Sequence, residues 1–286
     1  MALAALLASA VGLQILRERQ PPLTSGQDQL LYVRSPDAMK RIALSYDSLL
    51  ADVYWIRAIQ HYGDTKRSTG ADKSYGLLYP LLDLTTSLDP RFNAAYQFGA
   101  IFLAEQPPAG PGQPAQAVAL LEKGIKAQPD NWRLLQALGF IHYWWYEDYP
   151  TAARWFAEAA RQPEAPVWMA PLAAVTLAQG GNRNASRQMW RSIAENERDE
   201  WFRLEALRRL QQLDALDQMD ALRRGLGDYR SRTGRPAVRW EDLIGARFLR
   251  GVPLDPLGLP YRLVDGDVAL DAQSRLLPLP NPATLR

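Results

Sequence analysis

Apolar residues recur at helical spacing along most of the chain, and the clearest run lies between Pro129 and Pro163. Pro129 stops one helix, and Asp130-Asn131 can cap the next. Leu134, Leu135 and Leu138 then line one side of a helix. Gly139 follows, at a place where a side chain would hold a neighbouring helix away. Glu147-Asp148-Tyr149-Pro150 interrupts the period and reads as a turn. Ala152, Phe156 and Ala159 then share a face of a second helix. The small, large, small order suits two antiparallel helices packed closely.

The neighbouring stretches carry degraded copies of this unit. Upstream, Gly99 takes the place of Gly139, and Ala117, Leu121 and Gly124 repeat the second-helix face. Downstream, Ala173 lies 34 residues after Gly139 and Pro163 lies 34 after Pro129, while Ala185, Met189 and Ser192 repeat the face again. A period of about 34 residues with this small and large pattern resembles the tetratricopeptide repeat family. The resemblance covers Asp89 to Arg198 well and Tyr46 to Pro90 poorly. It implies a mainly α fold, a TPR-like α-solenoid of antiparallel helix pairs whose first helices line a concave face. By that resemblance the protein-binding groove comprises Asn93, Tyr96, Arg133, Gln136, Phe140, Tyr143 and Trp144. Aromatics flanked by arginine and amides suit an extended peptide or a partner helix. The competing assignment puts Phe140 and Trp144 in the core.

The remaining helices follow from the same period. Ala43 to Tyr62 reads as a helix with Leu44, Leu49, Leu50, Val53, Ile56 and Ile59 as its apolar side, followed by a polar loop over Gly63 to Lys73. Tyr75 to Ser87 and Arg91 to Glu105 are helical. Gln106 to Pro114 holds four prolines and two glycines, which preclude helix; it reads as a rigid surface loop, or as a Pro-rich ligand for a partner domain. Trp168 to Gln179 and Arg183 to Asn196 form a further pair around Gly180-Gly181. Glu200 to Leu213 and Ala215 to Arg230 form a last pair that caps the array.

The two ends differ in texture. Met1 to Ile15 is almost wholly apolar, shorter than the ~20 residues that span a bilayer comfortably. Residues 1–19 are therefore read as a signal peptide or membrane anchor, and a buried first helix is the alternative. Residues 20–42 read as linker, 43–229 as the repeat domain and 230–286 as a small α+β module. In that module Tyr261 to Val264 and Asp267 to Leu270 flank Asp265-Gly266, a hairpin signal. Tyr229, Gly234-Arg235-Pro236, Leu243 and the segment Asp255-Pro256-Leu257-Gly258-Leu259-Pro260-Tyr261 resemble the soluble end of the type II secretion major pseudopilin. That resemblance implies a related small α+β cap with a β-hairpin. The family's Trp before the glycine is Leu257 here, and the polar residue after it is Leu259.

Composition narrows the chemistry. A net charge of +2 supplies no strong field toward nucleic acid, so none is expected as partner. The chain has no cysteine, which excludes disulfides, thiolate metal sites and cysteine catalysis. No nucleotide-binding glycine loop and no His-Glu-x-x-His pair occurs. His61 and His142 sit among aromatics in different repeats and read as packing residues. The pattern thus points to no catalytic, metal or cofactor residues, and to a scaffold that binds a protein or peptide. An apolar start followed by Gln20-Pro21-Pro22 places it at a membrane or exported, on the periplasmic side, with a cytoplasm-facing anchor as the alternative. An accessory assembly component of a secretion, pilus-like or transporter system is the second reading, and an enzyme the third.

Overall fold

The computed structural model describes residues 36–68 and 73–280. The expected signal peptide or anchor, residues 1–19, lies outside them. Within the described residues no helix is long and apolar enough to cross a membrane. The protein is mainly helical, with one small two-stranded antiparallel sheet near its C-terminus. It divides into two compact units that meet between Ala127 and Gln128, inside the expected 43–229 repeat domain.

The first unit contains α1 (Pro36–Ala43), α2 (Asp47–Arg67), α3 (Leu78–Leu88), α4 (Asn93–Ala104) and α5 (Pro114–Ala127). The end of the expected 20–42 linker is therefore helical. From α2 onward each helix packs on the next, and α1 lies against α2 and α3. Gly99 permits the closest approach: a Cβ there would come within 2.8 Å of Leu82 and 3.1 Å of Leu120. Leu82, Leu120, Ala117 and Leu121 are all buried around it. Lys123 ties α5 to α3 through Asp83 Oδ1 at 2.6 Å and Ser87 Oγ at 2.7 Å.

The expected orientation of α2 is reversed. Its buried residues are Ala51, Tyr54, Ala58, His61 and Tyr62. Leu49, Val53, Ile56 and Ile59, the expected core side, are exposed. Small residues let α2 approach α3, and aromatics on its other edge build a ladder with α4. Trp55 and Tyr62 both stack on Phe102, with centroids 6.1 and 4.3 Å away. Tyr75 continues the ladder beside Tyr62 at 5.9 Å. The helix runs on through Gly63 to Arg67, because one glycine does not terminate a helix whose next turn is anchored. Lys66 supplies that anchor, 2.9 Å from Glu105, which also accepts from the Tyr62 hydroxyl. The proline-rich loop closes back on α4, with Gly112 N donating to Glu105 O at 2.8 Å and Gln113 N to Leu103 O at 2.7 Å.

His61 is buried, and among the described residues its Nε2 has no hydrogen-bond partner. Burial pushes its pKa below 6.5, only partly opposed by Asp64 and a backbone hydrogen bond to Tyr75. The unfolded chain therefore binds a proton that the fold refuses. Stability should be complete above about pH 6.5 and should fall as pH drops from there toward the folded pKa. Urea unfolding at pH 8 and pH 5 checks this. The drop should shrink in His61→Leu; an equal drop in both proteins removes His61 as its source.

The second unit contains α6 (Trp132–Trp144), α7 (Tyr149–Ala160), α8 (Met169–Gln179), α9 (Arg183–Asn196), α10 (Glu200–Thr233) and α11 (Trp240–Gly245), then β1 (Arg262–Val264) and β2 (Asp267–Ala269). Helices α6 to α10 pack successively, each on the next. Asn131, Asp148, Asn182 and Asp199 cap α6, α7, α9 and α10 through their side chains. Leu134, Leu135, Leu138, Ala152, Phe156 and Ala159 are buried as the spacing predicts. On α9 the deepest residues are Ser186 and Trp190, rotated by one residue from the expected Ala185, Met189 and Ser192. The reason is that α9 serves two neighbours. Ser186 donates to Ala174 O of α8 at 2.7 Å, while Arg183 and Arg187 reach α10.

The expected last helix pair is a single helix of 34 residues. Asp214 does not break it, because Asp214, Asp217 and Asp220 project at three-residue spacing toward α9. Arg187 meets Asp214 and Asp217 at 3.2 and 2.5 Å, and Arg183 meets Asp217 and Asp220 at 3.0 and 2.5 Å. Arg223 extends the ladder from Asp220 at 3.1 Å to Asp267 of β2 at 2.6 Å. Partial burial opposes ionisation of Asp217, yet Arg187 and Arg183 hold its carboxyl below the usual range. The helix ends at Gly234, whose left-handed φ of 70° costs glycine little.

The C-terminal module folds on the second half of α10. Ala215 and Met219 share a core with Trp240, Tyr261, Val268, Leu270 and Leu276. This core thus starts within α10, ahead of the expected boundary at residue 230. Trp240 Nε1 donates to Tyr261 O at 2.7 Å, and the Tyr261 hydroxyl donates to Gln218 Oε1 at 2.8 Å. The hairpin pairs Leu263 with Val268, and its corner residues Asp265 and Gly266 both have positive φ, as a type I′ turn requires. Upstream, Asp255 is buried. Its Oδ1 accepts from Leu257 N and Leu259 N, both at 2.9 Å, and its Oδ2 accepts from Ser274 Oγ at 2.7 Å.

Candidate interaction face on α6

Helix α6 buries Leu134, Leu135, Leu138, Gly139 and Ile141. The opposite positions, three and four residues apart, are Arg133, Gln136, Phe140, Tyr143 and Trp144, so these five lie along one outward line. Its two ends are open: Arg133 is exposed and Trp144 is 65% exposed. Its middle is half-buried.

Four of the five are held by ring contacts or a hydrogen bond. Phe140 packs edge-on against Phe156 of α7, centroids 5.1 Å apart, so it is part core and part surface. The Tyr143 hydroxyl donates to Gln179 Oε1 of α8 at 2.6 Å. That bond links α6 to α8, which are adjacent to α7 on either side in sequence. Tyr143 also meets Trp144 and Tyr149 edge-on, at 5.0 and 5.3 Å. At the other end the Arg133 guanidinium lies over the Trp132 ring at 4.6 Å, and Trp132 meets Trp168 at 6.2 Å. Rigid rings on a helix lose little conformational freedom on binding, which favours them as contact residues.

The two other expected groove residues belong to the first unit. Tyr96 is fully buried and does not line a surface. Its hydroxyl donates to Thr86 O at 3.4 Å, and burial pushes its pKa up to about 12. Asn93 is half-buried at the first position of α4. The candidate face is therefore the α6 line alone. Gln179 and Trp168 join it, and both escape a reading confined to α6. The 34-residue period does not find them, since each stands 36 residues after its partner, Tyr143 and Trp132.

A cavity lies in the C-terminal module. It is an apolar cavity of about 300 Å³ lined by Leu222, Leu243, Phe248, Leu249, Leu254 and Tyr261. Among the described residues no three of His, Asp or Glu converge as a metal site. His142 lies beside Tyr146, with ring centroids 5.4 Å apart. No family model matches the chain, and neither a curated protein nor a solved structure matches it significantly.

Proposed function

We propose that the protein is a non-catalytic helical-repeat scaffold whose α6 face holds a segment of another polypeptide. The observation that carries this is the outward line from Arg133 to Trp144, open at both ends and braced from behind by Phe156 and Gln179. Successive packing of α6 to α10 is what a tetratricopeptide-like solenoid requires, and in such a solenoid α6 and α8 line the concave side. The ligand class is an extended or helical peptide with an apolar anchor for the Trp144 end and an acidic group for Arg133. No nucleic-acid partner is proposed. Met1 to Ile15 would tether or export the body, with the periplasmic side as its place.

The test uses a defined probe. Random linear peptides are selected on the purified protein, and the Kd of each selected peptide is measured. Arg133→Glu combined with Trp144→Ala should weaken binding at least tenfold, since two contact residues each contribute on the order of 1–2 kcal/mol. Both side chains are exposed at the ends of the line, so the melting temperature should hardly move. Peptides that bind the double variant as well as the wild type would place the binding surface elsewhere.

A further inference from the structure

Helix α2 presents a second surface, independent of α6. Leu49, Val53, Ile56 and Ile59 are 60%, 38%, 53% and 40% exposed, and Tyr46 extends the same stripe at the helix start. Four aliphatics on one exposed face are far from the singly scattered apolar residues usual on protein surfaces. Gly63 continues the stripe. A glycine destabilises a helix interior relative to alanine. Nothing in its own surroundings requires one, because a Cβ there would meet only the Arg67 guanidinium, 3.9 Å away.

The geometry points to a second copy of this chain as the occupant: two α2 helices pairing antiparallel about a two-fold axis at Ile56. That register is self-complementary. Residues whose numbers sum to 112 then lie at the same height, so Leu49 meets the open notch at Gly63, while Val53 and Ile59 line the two flanks of the seam. Asp52, exposed within the stripe, meets the exposed Gln60, whose amide can donate to its carboxylate. A lipid surface fits poorly, since Asp52 would enter the apolar layer unpaired. The stripe leaves on the order of 500 Å² of apolar side chain per copy. Two copies with their polar flanks therefore reach about 1,200 Å², the lower bound of stable interfaces.

The chain has no cysteine, so single cysteines report the pairing cleanly. In full-length protein under mild oxidation, Ile56→Cys should form a covalent dimer. Leu49→Cys should not, because the register puts its two copies about 21 Å apart along the axis. Val238→Cys, 80% exposed and in the second unit, serves as control and should stay uncrosslinked. By light scattering the wild type should show twice the 32.1 kDa chain mass. Val53→Glu with Ile56→Glu should halve that mass and leave the helical circular dichroism unchanged, while the melting temperature loses its dependence on protein concentration. A monomeric wild type, an uncrosslinked Ile56→Cys, or a double variant that keeps the doubled mass would overturn the pairing. Crosslinking of Leu49→Cys as efficient as that of Ile56→Cys would overturn the antiparallel register.

Discussion

Replacing Gly139 with leucine is expected to unfold the α6–α7 pair. A Cβ built at Gly139 comes within 2.5 Å of Phe156 Cε1 and 2.6 Å of Cδ1, closer than any real carbon contact. Both residues are buried, and Phe140 packs against the same ring, so Phe156 can turn aside only by displacing packed neighbours. Gly139→Ala separates the two effects of the change. Alanine favours the helix by about 1 kcal/mol, while overpacking a close-packed core costs about 1–3 kcal/mol. The clash at 2.5 Å puts this site at the upper end, and a net loss of about 2 kcal/mol is expected. Leucine adds three more carbons to the same space and should cost at least about 4 kcal/mol, an exceptional value for one residue. Phe156→Leu should recover part of the loss when combined with Gly139→Ala, although alone it destabilises. Urea unfolding of the four proteins gives the coupling. Strict additivity would mean that the two side chains do not meet.

The second large effect is expected at Asp255, in the C-terminal module. Asp255→Ala removes one acceptor shared by Leu257 N and Leu259 N and another used by Ser274 Oγ. Hydrogen bonds to a charged group contribute about 1.5–3 kcal/mol each, and donors left buried add their own desolvation cost. Shared geometry keeps the total below a simple sum, so a loss of about 3–4 kcal/mol is expected, read by urea unfolding. The loss should centre on the C-terminal module. Amide exchange at Leu257 and Leu259 should accelerate by orders of magnitude, while amides of α6 and α7 stay protected. Asp255→Asn keeps an acceptor for the two amides, and the Ser274 hydroxyl can turn to accept from the new NH₂. Its cost should be about 1 kcal/mol. Equal effects from alanine and asparagine would remove the hydrogen-bond explanation.

These two sites were legible to different degrees. The small and large rhythm of Gly139, Ala152, Phe156 and Ala159 follows from helical spacing alone, and the buried residues match it. Asp255 stood out only as part of a segment resembling a pseudopilin. Its chemistry, a carboxylate closing a loop over two amides and a serine, joins residues 19 positions apart. No local pattern encodes such a contact. The hairpin was legible because Asp265-Gly266 carries its turn in two adjacent residues.

What the sequence determined by itself was helix content, most helix starts, the close-approach glycines and the C-terminal hairpin. Each depends on interactions within a few residues, so each is written in the local order of side chains. The tertiary structure decided which face of α2 is buried, whether α10 is one helix or two, and where Tyr96 sits. Helix α2 carries aliphatics on one side and small or aromatic residues on another, and local periodicity cannot rank two such faces. The ranking comes from Phe102 and Glu105 on α4, which complete the Trp55 and Tyr62 ladder. Likewise Asp214 reads as a break until Arg187 of α9 stands opposite it. Burial and pairing are properties of two surfaces meeting, and the second surface lies elsewhere in the chain.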